Sequence, residues 1–319
     1  MAAHGATAIA QGSKSFALAS RLFHREMRAD AQMLYAWCRR CDDVIDGQSM
    51  GEDAPDADLS ADEQAARLQR LRRDTARALA GEPVGDPAFD GFAAVAAKVA
   101  LPERYPFDLL DGFEMDVARR RYETIDDLLA YCYGVAGVVG VMMAIVMGVA
   151  PNDEETLDRA CDLGLAFQLT NVCRDMVDDA RAGRIYPPAE LLRDEGLEEA
   201  DPESLVDPAA RGALARVAGR LLDVADCYYE SGGAGLRRLP ARGAAAVGAA
   251  RSVYRDIGRI VRDRGASAWD ARAYATKSRK AWLALSGAAR AAPQPIFLAR
   301  VAPDPRPGLW RRPRAGADG

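Results

Sequence analysis

Residues 128–152, LLAYCYGVAGVVGVMMAIVMGVAPN, run for twenty-five positions without a charged side chain. A stretch of that length and composition has two destinations, a lipid bilayer or the middle of a helical protein that surrounds it. Both flanks are acidic (Asp126 and Asp127 before it, Asp153, Glu154 and Glu155 after it), so no positive-inside asymmetry sets an orientation, and glycines interrupt the run. It is therefore read as a buried central helix, which requires other helices to pack around it. The rest of the chain supplies them. Ala, Leu, Arg, Glu and Met dominate, and apolar residues recur at spacings of three and four, which predicts helices near 13–23, 26–47, 60–80, 87–100, 106–121, 125–149, 153–181, 208–231, 241–264 and 271–290. The expected breaks are the acidic segment 51–60, Pro102 and Pro106, Pro151, Pro187-Pro188 and Gly232-Gly233. None has the composition of an interdomain linker, so the expectation is all-α, one large helical bundle over residues 1–290.

After residue 291 the chain turns rich in proline and arginine and loses the helical period, which predicts a disordered tail over 291–319. A second reading lays Trp310, with Arg311, Arg312 and Arg314, on an anionic bilayer surface. A net charge of -5 and the lack of a basic cluster before residue 290 argue against nucleic acid as a partner. The six cysteines lie in helical stretches of a long chain, unlike a small disulfide-stapled domain, and suit a reducing cytoplasm. Cys38 and Cys41 form a lone Cys-x-x-Cys, without the second pair or the histidines that a zinc site would need. The first twelve residues have neither the charged start nor the apolar run of a secretion signal.

Two acidic constellations carry the chemistry. In Arg39-Arg40-Cys41-Asp42-Asp43-Val44-Ile45-Asp46, Asp42 and Asp46 stand four apart and share one helix face; in Asn171-Val172-Cys173-Arg174-Asp175-Met176-Val177-Asp178-Asp179, Asp175 and Asp179 repeat that spacing. Apolar neighbours (Leu34, Trp37 and Ile45; Leu169, Val172 and Met176) pack both helices into the body of the protein. Carboxylates at such spacing repel by about 4 kcal/mol per pair at 4 Å and an effective dielectric near 20. A divalent cation offsets this, and oxygen ligands without histidine select a hard ion, Mg²⁺ with Mn²⁺ as its substitute. Mg²⁺ takes its remaining ligands from water and phosphate, so two such rows suit a diphosphate, to which Arg39 and Arg174 can add forked hydrogen bonds. One cluster alone would read as a solvated helix face with ordinary ion pairs. Two copies at one spacing, each with an arginine, favour the metal and diphosphate.

This pattern resembles the squalene and phytoene synthase family over roughly residues 12–288. Gly12-Ser13-Lys14-Ser15-Phe16 is similar to the segment that covers the diphosphates in that family, and Tyr35-Ala36-Trp37-Cys38-Arg39 to the run into the first motif. Tyr131-Cys132-Tyr133-Gly134 through Gly140 resembles the tyrosine- and glycine-rich helix, Gln168-Leu169-Thr170-Asn171 the lead-in to the second motif, and Gly183-Arg184-Ile185-Tyr186-Pro187 the loop after it. The resemblance implies an isoprenoid-synthase bundle with a central prenyl-diphosphate cavity. It implies metal ligation by Asp42, Asp46, Asn171, Asp175 and Asp179, catalytic roles for Tyr131, Arg39 and Arg174, and substrate binding by Ser13, Lys14, Ser15, Phe16, Tyr35, Gln168 and Tyr254. Gly134, Gly137 and Gly140 either make room for a prenyl chain or let helices close on each other; the spacing suits both.

The implied reaction is head-to-head condensation of two prenyl diphosphates through a cyclopropyl diphosphate, in a dry cavity whose aromatic faces stabilise allylic cations. Tyr254-Arg255-Asp256-Ile257-Gly258, Arg264 to Asp270 and Lys277-Ser278-Arg279-Lys280 are similar to the bacterial, phytoene-forming branch. That branch implies geranylgeranyl diphosphate as the donor and no NADPH. Squalene or dehydrosqualene formation from farnesyl diphosphate is the alternative, and a non-catalytic assembly subunit with the same fold is another. The expected location is cytoplasmic, with peripheral contact at the inner face of the membrane suggested by the insoluble product. Oligomeric state is not legible.

Overall fold

The computed structural model describes residues 20–49, 52–53, 60–198, 200–273, 276–291, 306 and 308–314. The helix expected near 13–23 lies mostly outside them, as do Ser13, Lys14, Ser15 and Phe16. Twelve α-helices carry the fold among the described residues: α1 (Arg25–Asp46), α2 (Ala61–Leu79), α3 (Pro87–Val99), α4 (Arg104–Val117), α5 (Ile125–Cys132), α6 (Val138–Val146), α7 (Glu154–Arg181), the short α8 (Ala189–Asp194) and α9 (Pro202–Val206), α10 (Arg211–Gly235), α11 (Ala241–Arg264) and α12 (Lys277–Ala291). A two-residue hairpin, Gln48–Ser49 against Glu52–Asp53, follows α1.

Local chemistry sets the starts. Ser60 and Glu63 form a capping box at α2, Thr124 and Asp127 form one at α5, and the Asp86 and Asp153 side chains accept from the first turns of α3 and α7. The α4 helix stops at Val117 rather than near 121, because Arg119 adopts a left-handed φ of 46°.

The uncharged stretch is central, as expected. Ile125–Val146 is long and apolar enough to cross a membrane, and most of it is buried inside the protein. It is not one continuous α-helix. Tyr133–Gly137 forms a π turn between α5 and α6, a distortion that often marks functional sites. The π turn and α6 pack on α7, which also carries α10 and α11, while α1 packs on α3 through Trp37 stacked on Phe92 at 4.2 Å.

The glycines serve close packing. A Cβ on Gly134 would lie 2.7 Å from Gly112 Cα, and one on Gly140 2.5 Å from the Ala160 carbonyl, so these residues bring α4 and α7 onto the central helix rather than open space beside it. Gly232-Gly233 is no break either. The α10 helix runs through both, because a side chain at Gly232 would sit 2.8 Å from Leu163 Cβ.

The tail departs from expectation. Arg306 and residues 308–314 lie on the bundle because their arginines meet a ladder of carboxylates one turn apart on α7. Arg306 pairs with Asp158 and Asp162, Arg312 with Glu154 and Asp158, and Arg314 with Asp158. Arg312 is 3% exposed, and the Trp310 ring lies against Tyr133 at 5.8 Å. Arg312 is thereby taken up by the protein, while Arg311 and Arg314 stay exposed.

Candidate active site

A single cavity of about 860 Å³ runs through the bundle. Its polar end is built from four elements. The α1 helix presents Tyr35, Cys38, Arg39 and Asp42 at spacings of three and four; α7 presents Gln168, Asn171 and Arg174 in the same way; α4 contributes Asp116; and the loop after α7 contributes Arg184 and Tyr186. The remaining lining is mostly apolar, with Val135, Val139, Met143, Leu163 and Phe167 among its walls and Thr156 and Arg159 as polar members on α7. Tyr131 reaches the cavity from α5 and Tyr254 from α11, where it stacks on Phe167 at 4.4 Å. Eight of the expected residues thus meet in one place: Tyr35, Arg39, Asp42, Tyr131, Gln168, Asn171, Arg174 and Tyr254.

Asp46, Asp175 and Asp179 are not among the residues that line the cavity, and they connect to this set through ion pairs and charge. Arg39 holds Asp42 at 2.7 Å and Asp43 at 2.7 Å. Arg174 grips Asp175 with two nitrogens, Nε at 2.8 Å, and Arg272 adds a third contact at 3.1 Å. Arg184 bonds Asp46 across the mouth. Burial pushes the Asp42 carboxyl up to about 7 against the pull of Arg39, with Asp46 and Asp43 adding to the rise. Burial, then Asp175, pushes Asp179 up to about 8. Such carboxyls are short of positive charge.

Asn171 Oδ1 is buried and accepts no hydrogen bond, while its amide donates to Gln168 at 3.3 Å. An oxygen left unpaired beside two carboxylate rows fits a hard cation, which takes oxygen ligands from the protein, water and phosphate together. Among the described residues no three acidic side chains converge tightly enough to cage an ion unaided. That matches a site in which each helix offers one or two ligands and the diphosphate offers the rest.

Sequence reasoning missed Asp116. Its carboxylate accepts from Tyr131 at 3.1 Å and from Tyr186 at 2.8 Å, and the two rings stack at 5.0 Å. Burial pushes it up to about 6. The available signal was an aspartate on the stripe Leu109, Phe113, Asp116, where a buried face should be apolar. Arg184 and Tyr186 appeared only within a loop resemblance, and Arg272 not at all. Cys38 lines the cavity but burial raises its thiol to about 12, and Cys41 is buried in the core, so both are protonated packing groups at neutral pH.

Comparison with known proteins agrees with this geometry. Residues 9–279 match the squalene/phytoene synthase family model. The chain is 51% identical to the phytoene synthase of Pseudescherichia vulneris over 97% of both chains, and 49% identical to the 15-cis-phytoene synthase of Pantoea ananas, again over 97% of both. Among solved structures, a dehydrosqualene synthase bound to a ligand superposes with a TM-score of 0.78 at 28% identity, covering 90% of this chain and 95% of the other. A squalene synthase from Alicyclobacillus acidocaldarius superposes with a TM-score of 0.69 at 25% identity, covering 82% and 94%. With two acidic helices lining one cavity, a family match over most of its length and relatives near half identity end to end, this chain belongs to the squalene/phytoene synthase family.

Proposed function

We propose that the chain joins two geranylgeranyl diphosphates head to head, giving phytoene and releasing two diphosphates and two protons. The observation that carries this is the division of one cavity into an arginine- and carboxylate-lined mouth and a long apolar interior. Near-half identity over almost the whole length to proteins named phytoene synthase supports this branch of the family over its squalene-forming neighbours.

Asp42, Asp46, Asn171, Asp175 and Asp179 would hold Mg²⁺, which when bound supplies charge neutralisation for the departing diphosphates. Arg39 and Arg174 are placed to fork onto phosphate oxygens, and Arg184 and Arg272 widen the positive rim. Tyr35, Phe167 and Tyr254 face the reacting carbons with aromatic surface, each ring contributing roughly 0.5–2 kcal/mol toward an allylic cation. The apolar walls exclude the water that would quench it. The C1–O bond of the first donor breaks with loss of its diphosphate, C1 bonds to C2 and C3 of the second molecule's double bond, and one C1 proton leaves, giving a cyclopropyl diphosphate. Loss of its diphosphate, rearrangement and deprotonation then form the central triene. No hydride is consumed, so no NADPH is required. The released diphosphate is the final base, and Tyr131 can relay by accepting a proton at its oxygen only as its own phenolic proton passes along the hydrogen bond it donates to Asp116.

The test is incubation of purified protein with Mg²⁺ and farnesyl or geranylgeranyl diphosphate, with and without NADPH, and chromatography of the extracted hydrocarbons. A C40 triene from the longer donor without NADPH is expected. A C30 product would replace the donor with farnesyl diphosphate. No hydrocarbon from either would favour an assembly role, against which all four motif carboxylates argue. Cytoplasmic location with peripheral membrane contact forms part of the proposal, since the product is a hydrocarbon. The described surface offers Trp282 and Leu285 on α12 for that contact, 63% and 72% exposed and three residues apart.

A further inference from the structure

Beside the active-site cavity lies a smaller recess of about 210 Å³, many times the ~10–15 Å³ that a single water needs. Asp116, Arg184 and Tyr186 line both, so the two share a wall. Arg119, Arg120 and Arg121, which follow α4, and Gly183, which follows α7, line only the recess. The two helices end alike. Arg119 N–H donates to the Asp116 carbonyl and Arg120 N–H to that of Met115, while Gly183 N–H donates to the Ala180 carbonyl and Arg184 N–H to that of Asp179. This closure puts one residue in the left-handed region and ordinarily takes glycine there. Gly183 complies at a φ of 75°, but α4 places Arg119 there at 46°. The helix dipole does not ask for that strain, since a basic side chain anywhere in the last turn would meet it.

The side chain of Arg119 reaches across to the end of α7. Its Nη1 lies 3.4 Å from where a Cβ on Gly183 would stand, and its guanidinium forms no ion pair or hydrogen bond among the described residues. Arg121 donates to the Ala200 carbonyl at 3.0 Å, a neutral partner that leaves its charge uncompensated. The neighbouring carboxylates are engaged. Asp116 accepts from Tyr131 with one oxygen and from Tyr186 with the other, Asp127 caps α5 and stands 4.0 Å from Arg120, and Glu123 pairs with Arg193. Positive charge is therefore in excess in the recess.

We propose that this recess is a second diphosphate site, which takes the anion released in the active-site cavity as it leaves past Arg184 and Tyr186. Arg119 and Arg121 hold it with charge-assisted hydrogen bonds. Arg184 lines both cavities, so an anion leaving the first meets there a donor that also borders the second. The proposal rests on the prenyl-diphosphate reading of the main cavity, because that reaction supplies the anion.

The probe is inorganic diphosphate, titrated by calorimetry into full-length protein in EDTA, where the mouth arginines stay paired with Asp42, Asp175 and Asp46. Wild type should bind it saturably at one site. Arg119→Gly suits the left-handed backbone, so its melting temperature should not fall, while its affinity should drop about tenfold, the worth of one charge-assisted hydrogen bond. Arg121→Gln should do the same, whereas Arg39→Gln, at the mouth, should leave the affinity unchanged. No saturable binding by wild type, or wild-type affinity in both Arg119→Gly and Arg121→Gln, overturns the site, as does a loss confined to Arg39→Gln. During turnover of geranylgeranyl diphosphate with Mg²⁺, added diphosphate should inhibit wild type in part even at saturating donor, and Arg119→Gly should lose that part. The same inhibition in both overturns the exit role. Hydrocarbon formation by wild type tests the reaction separately: its failure removes the source of the anion, while the titration in EDTA still decides the site.

Discussion

Arg184, in the loop after α7, is ion-paired with Asp46, the last carboxylate of the first acidic motif on α1. The pair ties the first acidic helix to the loop after the second, and there a metal ion would compete with Arg184 for Asp46 and a phosphate with Asp46 for Arg184. Once positive charge from elsewhere satisfies Asp46, Arg184 is free to turn its fork on the diphosphate. Arg184→Gln should therefore lower kcat/KM by about 30- to 160-fold, the equivalent of one charge-assisted hydrogen bond of about 2–3 kcal/mol. Steady-state kinetics at saturating Mg²⁺ measures this. A loss below threefold would confine Arg184 to an ordinary surface pair.

Gly164 faces the π turn so closely that a Cβ there would lie 2.4 Å from the Ala136 carbonyl and 2.7 Å from Gly137 Cα. Both contacts are backbone and cannot move aside without shifting α7 against the central helix. Gly164→Ala should cost about 1–3 kcal/mol, in the range of overpacked cores. Thermal denaturation should show a melting temperature lower by several degrees, with activity falling as well, because the displaced wall belongs to the cavity.

These two sites show what was legible in the sequence. The acidic motifs could be read because a spacing of four and an apolar periphery are local properties of one helix, and Asp42, Asn171 and Arg174 do meet in the cavity. Gly232-Gly233 was misread because glycine as a helix breaker and glycine as a packing surface look alike until the neighbour, here Leu163, is known. Asp116 offered only the signal of an aspartate on an apolar stripe, Arg184 only a loop resemblance and Arg272 none, since each gains its role from a partner on another element. Arg306 and Arg312 sat in a stretch whose composition signals disorder, and only the facing ladder Glu154, Asp158 and Asp162 explains why they settle on the bundle.

Asp116 gives the protein a pH dependence with a definite sign. Its folded value of about 6 lies above the ordinary carboxylate value, with burial as the main cause. Its contribution to stability is therefore complete below about pH 4 and is lost as pH rises through 6. Asp116→Asn keeps the shape and removes the charge, so the fall in melting temperature between pH 4.5 and 7.5 should shrink by an amount equivalent to about 1 kcal/mol, discounted for partial exposure. The variant should also lose roughly tenfold in kcat, since an amide cannot accept from both Tyr131 and Tyr186 as a carboxylate does. An unchanged kcat would separate Asp116 from the positioning of Tyr131.

Trp282 and Leu285 are large apolar side chains left in solvent on one face of α12, and Lys280 of that helix lines the cavity. Burying one such side chain in lipid is worth roughly 1.5–3 kcal/mol. The double substitution Trp282→Ser and Leu285→Ser should therefore reduce flotation with anionic liposomes at least about tenfold in partition, leaving turnover of detergent-dispersed substrate intact. Equal flotation would remove α12 as the contact.

The ion pairs at the mouth also predict how ligands act together. With Asp42 held by Arg39, Asp175 by Arg174 and Arg272, and Asp46 by Arg184, the protein has internal counter-charges, and removal of divalent ions with EDTA should leave its melting temperature unchanged. Mg²⁺ alone should bind weakly, because it must displace those arginines and finds no three carboxylates converging on one point. Inorganic diphosphate alone should bind weakly at the mouth too, because the arginines it would pair with are already held by carboxylates. Together each ligand removes the obstacle to the other: the ion takes the carboxylates and the diphosphate takes the freed guanidiniums. At a hundredfold excess over the joint dissociation constant the pair should stabilise the protein by about 2.7 kcal/mol. Thermal shift with each ligand singly and then both decides the matter, and an additive response would show that the two sites act independently.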